Sequence, residues 1–212
     1  MMHFAATGVS LLALIFAAVG AFTAFVVMTN DGEVYYDVTA EGACLYTDAG
    51  TFCATFEEIQ KDNDDWAGST MESFSLSATF SLIAFIFSIV LFLLVAGATG
   101  LKVGSVLDAG KRKLMFLGGA GVGGLAALLS MIGWIMIVSA WTDPEGSGCN
   151  DGKACSMADR AAEEEAPYAS SLGVGFVFQI LAFIFLAATA GLSAAAGMQE
   201  EEGKGAEVAG EA

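Results

Sequence analysis

Ionisable side chains are missing from the long hydrophobic stretches of this sequence, which also has a single histidine and two prolines in 212 residues. None of its 24 acidic and 8 basic side chains falls within four apolar blocks, at 4–28, 74–101, 114–141 and 168–197. Proton pumps, proton-coupled transporters and voltage sensors need ionisable groups inside the membrane, so this absence argues against those classes. No paired carboxylates, Ser/His/Asp set or metal cluster suggests catalysis. We therefore predict a protein that is not an enzyme and has no cofactor or metal.

The four apolar blocks predict four membrane-spanning helices. Hydrophobic residues make up 56% of the chain, and the mean hydropathy of +0.66 is above that of soluble proteins. At ~1.5 Å per residue, each block is longer than the ~30 Å hydrocarbon core of a bilayer. We predict an all-α transmembrane fold, a left-handed four-helix bundle in a single domain at 1–198, with membrane lipid as its first partner.

Basic residues are concentrated in one short connection, at 102–113, which holds Lys102, Lys111, Arg112 and Lys113. Because short loops rich in Lys and Arg stay in the cytoplasm, this connection predicts cytoplasmic N- and C-termini. The acidic tail at 199–212 is then cytoplasmic and is predicted to be flexible. The loops at 29–73 and 142–167 lie outside, at the plasma membrane or another membrane with an oxidising outer or lumenal side.

The chain is strongly acidic, with a formal net charge of −16. Such a surface repels phosphate, which excludes nucleic acid as a partner. In the first outer loop, Asp37, Glu41 and Asp48 are candidates for attracting cations. The simpler interpretation of the charge is a solvated face that keeps the loops soluble.

All four cysteines fall in the outer loops, as Cys44, Cys53, Cys149 and Cys155. An even number confined to the oxidising side predicts disulfides, and local pairing is the simplest of three connectivities. Zinc is the competing interpretation, but neither loop contains a histidine or a C-x-x-C spacing. Residues 33–39 and 44–53 are rich in strand-forming side chains, and Asp48, Ala49 and Gly50 supply a turn, so we predict a small β-hairpin with a disulfide across its strands.

Small residues within the third and fourth blocks predict close helix packing. Gly119 and Gly123 form a G-x-x-x-G pattern, and Gly191 has small residues four positions away on both sides. The third block also contains G-x-G-x-x-G, the pattern of a dinucleotide-binding turn. No strand precedes that pattern and it lies within a predicted span, so packing is the better explanation.

Polar side chains within the blocks predict hydrogen bonds between helices. Ser77 and Ser81 share one helical face, and Gln179 is the only side-chain amide inside any block. A polar stripe could line a water pathway, but interhelical hydrogen bonding explains these residues without a pore.

The order of parts resembles the claudin, PMP22 and TARP superfamily. The shared layout is a larger first outer loop with a two-cysteine hairpin, a short basic inner loop, a smaller second outer loop and a cytoplasmic tail. Gly42, Ala43, Cys44 and Cys53 stand where that family has Gly-Leu-Trp and its paired cysteines, although no Trp precedes Cys44. MARVEL-type tetraspans, which can carry a disulfide in each outer loop, are the nearest rival.

This resemblance implies a non-enzymatic tetraspan protein that contacts neighbouring membrane proteins, or like subunits, through its outer loops. We expect an adhesion or structural component, or an accessory subunit of a larger homo- or hetero-oligomeric assembly. The alternative is an oligomeric pore or paracellular-type cation pathway, in which the acidic loops would concentrate cations at the mouth.

Overall fold

The fold is mainly helical, with a small antiparallel sheet. A computed structural model describes residues 2–30, 33–39, 41–58, 68–103, 109–142, 147–148, 154–155 and 168–210. The long helices within these ranges are α1 (Met2–Phe22), α2 (Gly68–Val103), α3 (Ala109–Thr142) and α4 (Val174–Gly210). The strands are β1 (Val26–Asn30), β2 (Glu33–Val38), β3 (Gly42–Thr47), β4 (Gly50–Thr55), β5 (Ser147–Gly148), β6 (Ala154–Cys155) and β7 (Tyr168–Leu172).

Each of the four helices contains a stretch that is long and apolar enough to cross a membrane. These stretches are Met2–Phe22, Glu72–Gly100, Ala109–Thr142 and Val174–Gln199. A helix satisfies its own backbone hydrogen bonds, which is what an apolar surrounding demands. The prediction of four such helices is confirmed.

The ends of two predicted spans differ in the structure. α1 stops at Phe22, and the last residues of the first apolar block, from Val26, form β1. The first residues of the fourth block form β7. Phe25 and Val26 are fully buried within the protein, so their apolar character serves a protein core. At the other end, α4 continues to Gly210, and the flexibility of the tail stays a prediction.

The main sheet has five strands in the order β4-β3-β2-β1-β7, and all neighbouring strands are antiparallel. Its β3–β4 hairpin is the stapled hairpin predicted from the sequence, with the turn at 48–49. β7 precedes α4 directly and pairs with β1 through five residues. The sheet therefore joins the segment between α1 and α2 to the segment between α3 and α4.

The two faces of the sheet differ because side chains alternate along each strand. One face, which we call the dry face, carries the buried Val26, Val38 and Ala43. These side chains belong to one hydrophobic cluster with residues from the helices, namely Phe74, Ala78, Ile137 and Ala140. The other face, the wet face, carries Asp37, Cys44 and Tyr46. The dry face thus fixes the sheet to helix segments.

The chain divides into two compact units, each containing segments of all four helices. The sheet unit comprises residues 18–82 and 130–180, and the terminal unit comprises 1–17, 83–129 and 181–212. The terminal unit has its own core, in which Leu91, Val95, Phe116 and Leu186 are fully buried among alanines. Small alanine side chains allow close approach of helices there.

Candidate functional site

The wet face of the sheet is organised around the Cys44–Cys53 disulfide. The two cysteines lie opposite each other on β3 and β4, and their Cα atoms are 4.1 Å apart. That short distance fits a non-hydrogen-bonded pair, in which side chains come closest. Asp37 on β2 lies opposite Cys44, so Asp37, Cys44 and Cys53 form one row of side chains across three neighbouring strands.

Asp37 is tied to the neighbouring strand by Tyr46. The Tyr46 hydroxyl donates to Oδ2 of Asp37 at 3.1 Å. Burial, this hydrogen bond and the negative charge of Asp37 together raise the pKa of Tyr46. Oδ1 of Asp37 is buried and has no hydrogen-bond partner among the described residues.

The three candidate cation-attracting residues do not form a cluster. Glu41 is exposed just before β3, where its backbone N–H donates to Thr39 Oγ1 at 3.3 Å. Asp48 is exposed just after β3. Six strand residues separate them, a span of about 20 Å. Within the described part of the chain, no group of three or more His, Cys, Asp or Glu residues could hold a metal ion.

The second pair of cysteines is only partly described. β5 and β6 form a two-residue ladder in which Cys155 lies opposite Ser147. Cys149 and the side chain of Cys155 lie outside the described residues. The disulfide between them stays a prediction.

Removing the Cys44–Cys53 disulfide is expected to lower the free energy of unfolding by about 2–3 kcal/mol, because the bridge restricts the unfolded chain. The Cys44→Ser/Cys53→Ser double variant should therefore unfold at a lower temperature than wild type in detergent. Reductant should lower the midpoint of wild type further than that of the variant. Equal midpoints for the two oxidised proteins would contradict a stabilising role.

The burial of Tyr36 on the dry face predicts that the protein loses stability at alkaline pH. Burial, and secondly the charge of Asp37, raise its pKa from 10.0 to about 12. The unfolded chain releases this proton at lower pH than the folded chain. The stabilisation, on the order of 2 kcal/mol, is therefore full below pH 10 and is lost as pH rises towards 12. Thermal unfolding midpoints at pH 9 and pH 11 measure this loss of stability. Between those two pH values, the midpoint of the Tyr36→Phe variant should fall less than that of wild type.

Beneath the sheet, a buried polar cluster brings together all four helices. Its centre is Gln179 of α4, which is 3% exposed. The Gln179 amide Nε2 donates to Ser81 Oγ on α2 and, at 3.5 Å, to the Gly20 carbonyl on α1. Ser130 of α3 donates to the Gln179 backbone carbonyl at 3.1 Å. Gln179 thus forms hydrogen bonds with α1, α2 and α3 through its side chain and its backbone carbonyl.

The serines of α2 complete this cluster. Ser77 Oγ donates to the Gly133 carbonyl of α3 at 2.9 Å, and Ser81 Oγ donates to the Ser77 carbonyl at 2.7 Å. Gln179 Oε1 is buried, has no hydrogen-bond partner among the described residues, and lies 3.0 Å from where a Gly133 Cβ would be. Because Gly133 of α3 comes so close to the Gln179 amide of α4, the two helices are tightly packed at this point.

The predicted packing glycines divide into two groups. A Cβ on Gly119 would lie 3.2 Å from Val95 Cγ2, and one on Gly123 would lie 3.2 Å from Leu91 Cδ2, so both mark close helix contacts. Gly191 is exposed, and a Cβ there would meet no atom within 4 Å. Among the described residues, no other helix therefore packs against Gly191, and its role in packing stays a prediction. Sequence spacing overlooked Gly133, because no small residue lies four positions from it.

No family model and no curated protein sequence matches this chain. The resemblance to claudins consequently depends on the layout of spans and loops and on the paired Cys44 and Cys53.

Proposed function

We propose that this protein is a non-enzymatic, claudin-like tetraspan membrane protein whose outer sheet contacts neighbouring proteins. It acts as an adhesion or structural component, or as an accessory subunit of a larger assembly. The observation that carries this proposal is the disulfide-linked sheet, whose dry face packs on helix segments, while Tyr46 and Cys53 on its wet face are exposed and no described strand pairs with the outer edge of β4. A fixed surface of this kind loses little conformational freedom on binding.

The proposal includes a topology. The four helices cross the membrane as a left-handed bundle, and the basic connection around Lys111 and Lys113 lies in the cytoplasm with both termini. The Cys44–Cys53 disulfide is then on the oxidising side, where such bonds persist. Interior polar contacts such as that between Gln179 and Ser81 support packing between the helices.

Site-specific photo-crosslinking in native membranes tests this proposal. A photoreactive residue at Tyr46, on the wet face and 36% exposed, should give discrete adducts with a neighbouring protein or a like subunit. The matched control is Leu93 on α2, which is 62% exposed on an apolar helix and should react with lipid. If only the monomer were recovered from both positions, the proposal would be refuted.

The oligomeric cation pathway has less support. Its acidic mouth would require Asp37, Glu41 and Asp48 to act together, whereas Glu41 and Asp48 lie at opposite ends of β3. A cation conductance in reconstituted bilayers that fell when all three were neutralised would favour it.

A further inference from the structure

Within the part of the chain that the structure describes, β4 is an edge strand without the usual protection. It lies at one end of the sheet order, and all its residues except Ala54 are exposed. Natural edge strands are commonly guarded by charged side chains, proline or a bulge. The β4 sequence, GTFCAT, has no charge and no proline, and its register with β3 runs unbroken over six pairs. The backbone of β4 can therefore form hydrogen bonds with an added strand.

The backbone groups that face the open edge can be assigned from the register. A two-residue turn closes the hairpin, so the pair Thr47 and Gly50 is hydrogen-bonded and the pairs alternate from there. The N–H and C=O groups of Thr51 and Cys53 consequently point away from β3. At the end of β4, the Thr55 N–H already donates to Glu58 Oε2 at 2.8 Å. Thr51 and Cys53 thus offer two donors and two acceptors.

The edge is also held in one register and carries an aromatic side chain. The Cys44–Cys53 disulfide prevents β4 from sliding against β3. Phe52 lies between Thr51 and Cys53, whose backbone groups face the open edge, and its side chain is 60% exposed. An apolar side chain on an added strand would cover this ring, so that backbone pairing supplies affinity and Phe52 supplies selectivity.

Acidic residues flank β4 at both ends. Asp48 precedes it in the turn, and Glu57 and Glu58 follow it. In an antiparallel pair of two copies, these carboxylates would approach one another along the strand ends, and a chain of net charge −16 adds repulsion. Charge complementarity instead favours an occupant with basic residues at both ends of an uncharged centre.

We propose that the open edge of β4 binds, by strand addition, an extended segment of a partner protein that has an uncharged centre and Lys or Arg at each end. This inference rests on the proposed function, because it identifies the chemistry of the partner that the outer sheet contacts. The bound segment pairs with the backbone of Thr51 and Cys53, covers Phe52 and places its cations near Asp48 and Glu57. β4 spans about 20 Å, which sets the spacing of those cations at six to eight residues.

Peptide binding to the intact protein in detergent micelles tests the chemistry. The probe is a fluorescently labelled peptide, Lys-Thr-Val-Phe-Val-Thr-Lys, followed by polarisation. We expect saturable binding that weakens with added salt, and no binding of the matched peptide with Glu at both ends. A peptide N-methylated along both backbone edges should also fail to bind, because neither edge can then pair with β4. Equal binding of all three peptides would overturn the proposal.

The protein variants test the edge itself. Thr51→Pro removes an outward-facing N–H, a position where an edge strand tolerates proline, and should weaken peptide binding by about tenfold or more. Thr51→Val keeps the N–H and should bind within about twofold of wild type. Formation of the Cys44–Cys53 disulfide reports that each variant folds. Unchanged peptide binding by a folded Thr51→Pro protein would contradict strand addition. If wild type bound no peptide but self-associated, and Thr51→Pro abolished that self-association, the edge would bind a second copy of this chain and the proposed occupant would be wrong.

Crosslinking in native membranes separates this inference from the proposed function. If wild type and Thr51→Val form the Tyr46 adduct and Thr51→Pro loses it, both stand. If all three form it equally, the sheet contacts a neighbour but β4 is not the binding edge. If wild type forms no adduct, the proposed function fails, and peptide binding cannot restore it.

Discussion

Replacing Gly42 by alanine is expected to destabilise the five-stranded sheet by about 3–5 kcal/mol. Gly42 opens β3 with a φ of +149°, a conformation that side chains disfavour. A Cβ there would lie 2.1 Å from the Ala54 carbonyl oxygen and 2.9 Å from Thr55 Cα. Both obstacles are backbone atoms of β4, so relief would require separating the two stapled strands.

Gly50 offers a matched control in the same hairpin. Its φ of +136° imposes a similar conformational cost, but a Cβ there would meet nothing within 4 Å. Gly50→Ala should therefore cost only about 1 kcal/mol. Thermal unfolding in detergent and thiol labelling of Cys44 and Cys53 measure both variants. Equal midpoints and equal disulfide formation in the two proteins would show that the predicted collision with β4 is absent.

The long helices could be predicted because charge and hydropathy are local properties of the sequence. Four uncharged blocks gave four helices, each with a stretch able to cross a membrane. Their ends could not be placed, since an apolar run does not distinguish lipid contact from a protein core. Val26 illustrates this limit, because it continues the first apolar block, yet it belongs to β1 and its side chain is buried on the dry face of the sheet.

The sheet was predictable only where its signals were close together in the chain. Cys44 and Cys53 flank a turn between strand-forming residues, and their hairpin and disulfide are present. The pairing of β1 with β7 joins segments more than a hundred residues apart, and neither segment carries a local sign of its partner. Long-range pairing of this kind depends on how the helices bring the loops together.

The polar cluster shows the same division. The sequence indicated that Gln179, Ser77 and Ser81 would bond between helices, because buried polar groups in an apolar setting need partners. It did not indicate that Gly20 and Gly133 would enclose the amide. Their role depends on which helices lie next to Gln179 in the fold. A Cβ added to Gly20, for example, would lie 3.0 Å from Gln179 Cγ.

Replacing Gly133 by valine should accordingly disrupt this joint, at a cost of about 3 kcal/mol or more. The new Cβ would lie 3.0 Å from Gln179 Oε1, 3.2 Å from Ser81 Oγ and 3.6 Å from the Ser77 carbonyl oxygen. Its methyl groups would extend further into the same space. The hydrogen bonds from Ser77 to Gly133 and from Gln179 to Ser81 would then be broken or lengthened.

Gly124→Val is the control, because Gly124 is on the same helix and a Cβ there would meet nothing within 4 Å. Both variants carry the same change in helix propensity, so the difference between them isolates packing around Gln179. We expect Gly133→Val to unfold at a clearly lower temperature in detergent, and Gly124→Val to stay near wild type. Equal unfolding midpoints would mean that the helices can separate at Gly133 without loss, and the cluster would then not hold the helix segments on which the sheet packs.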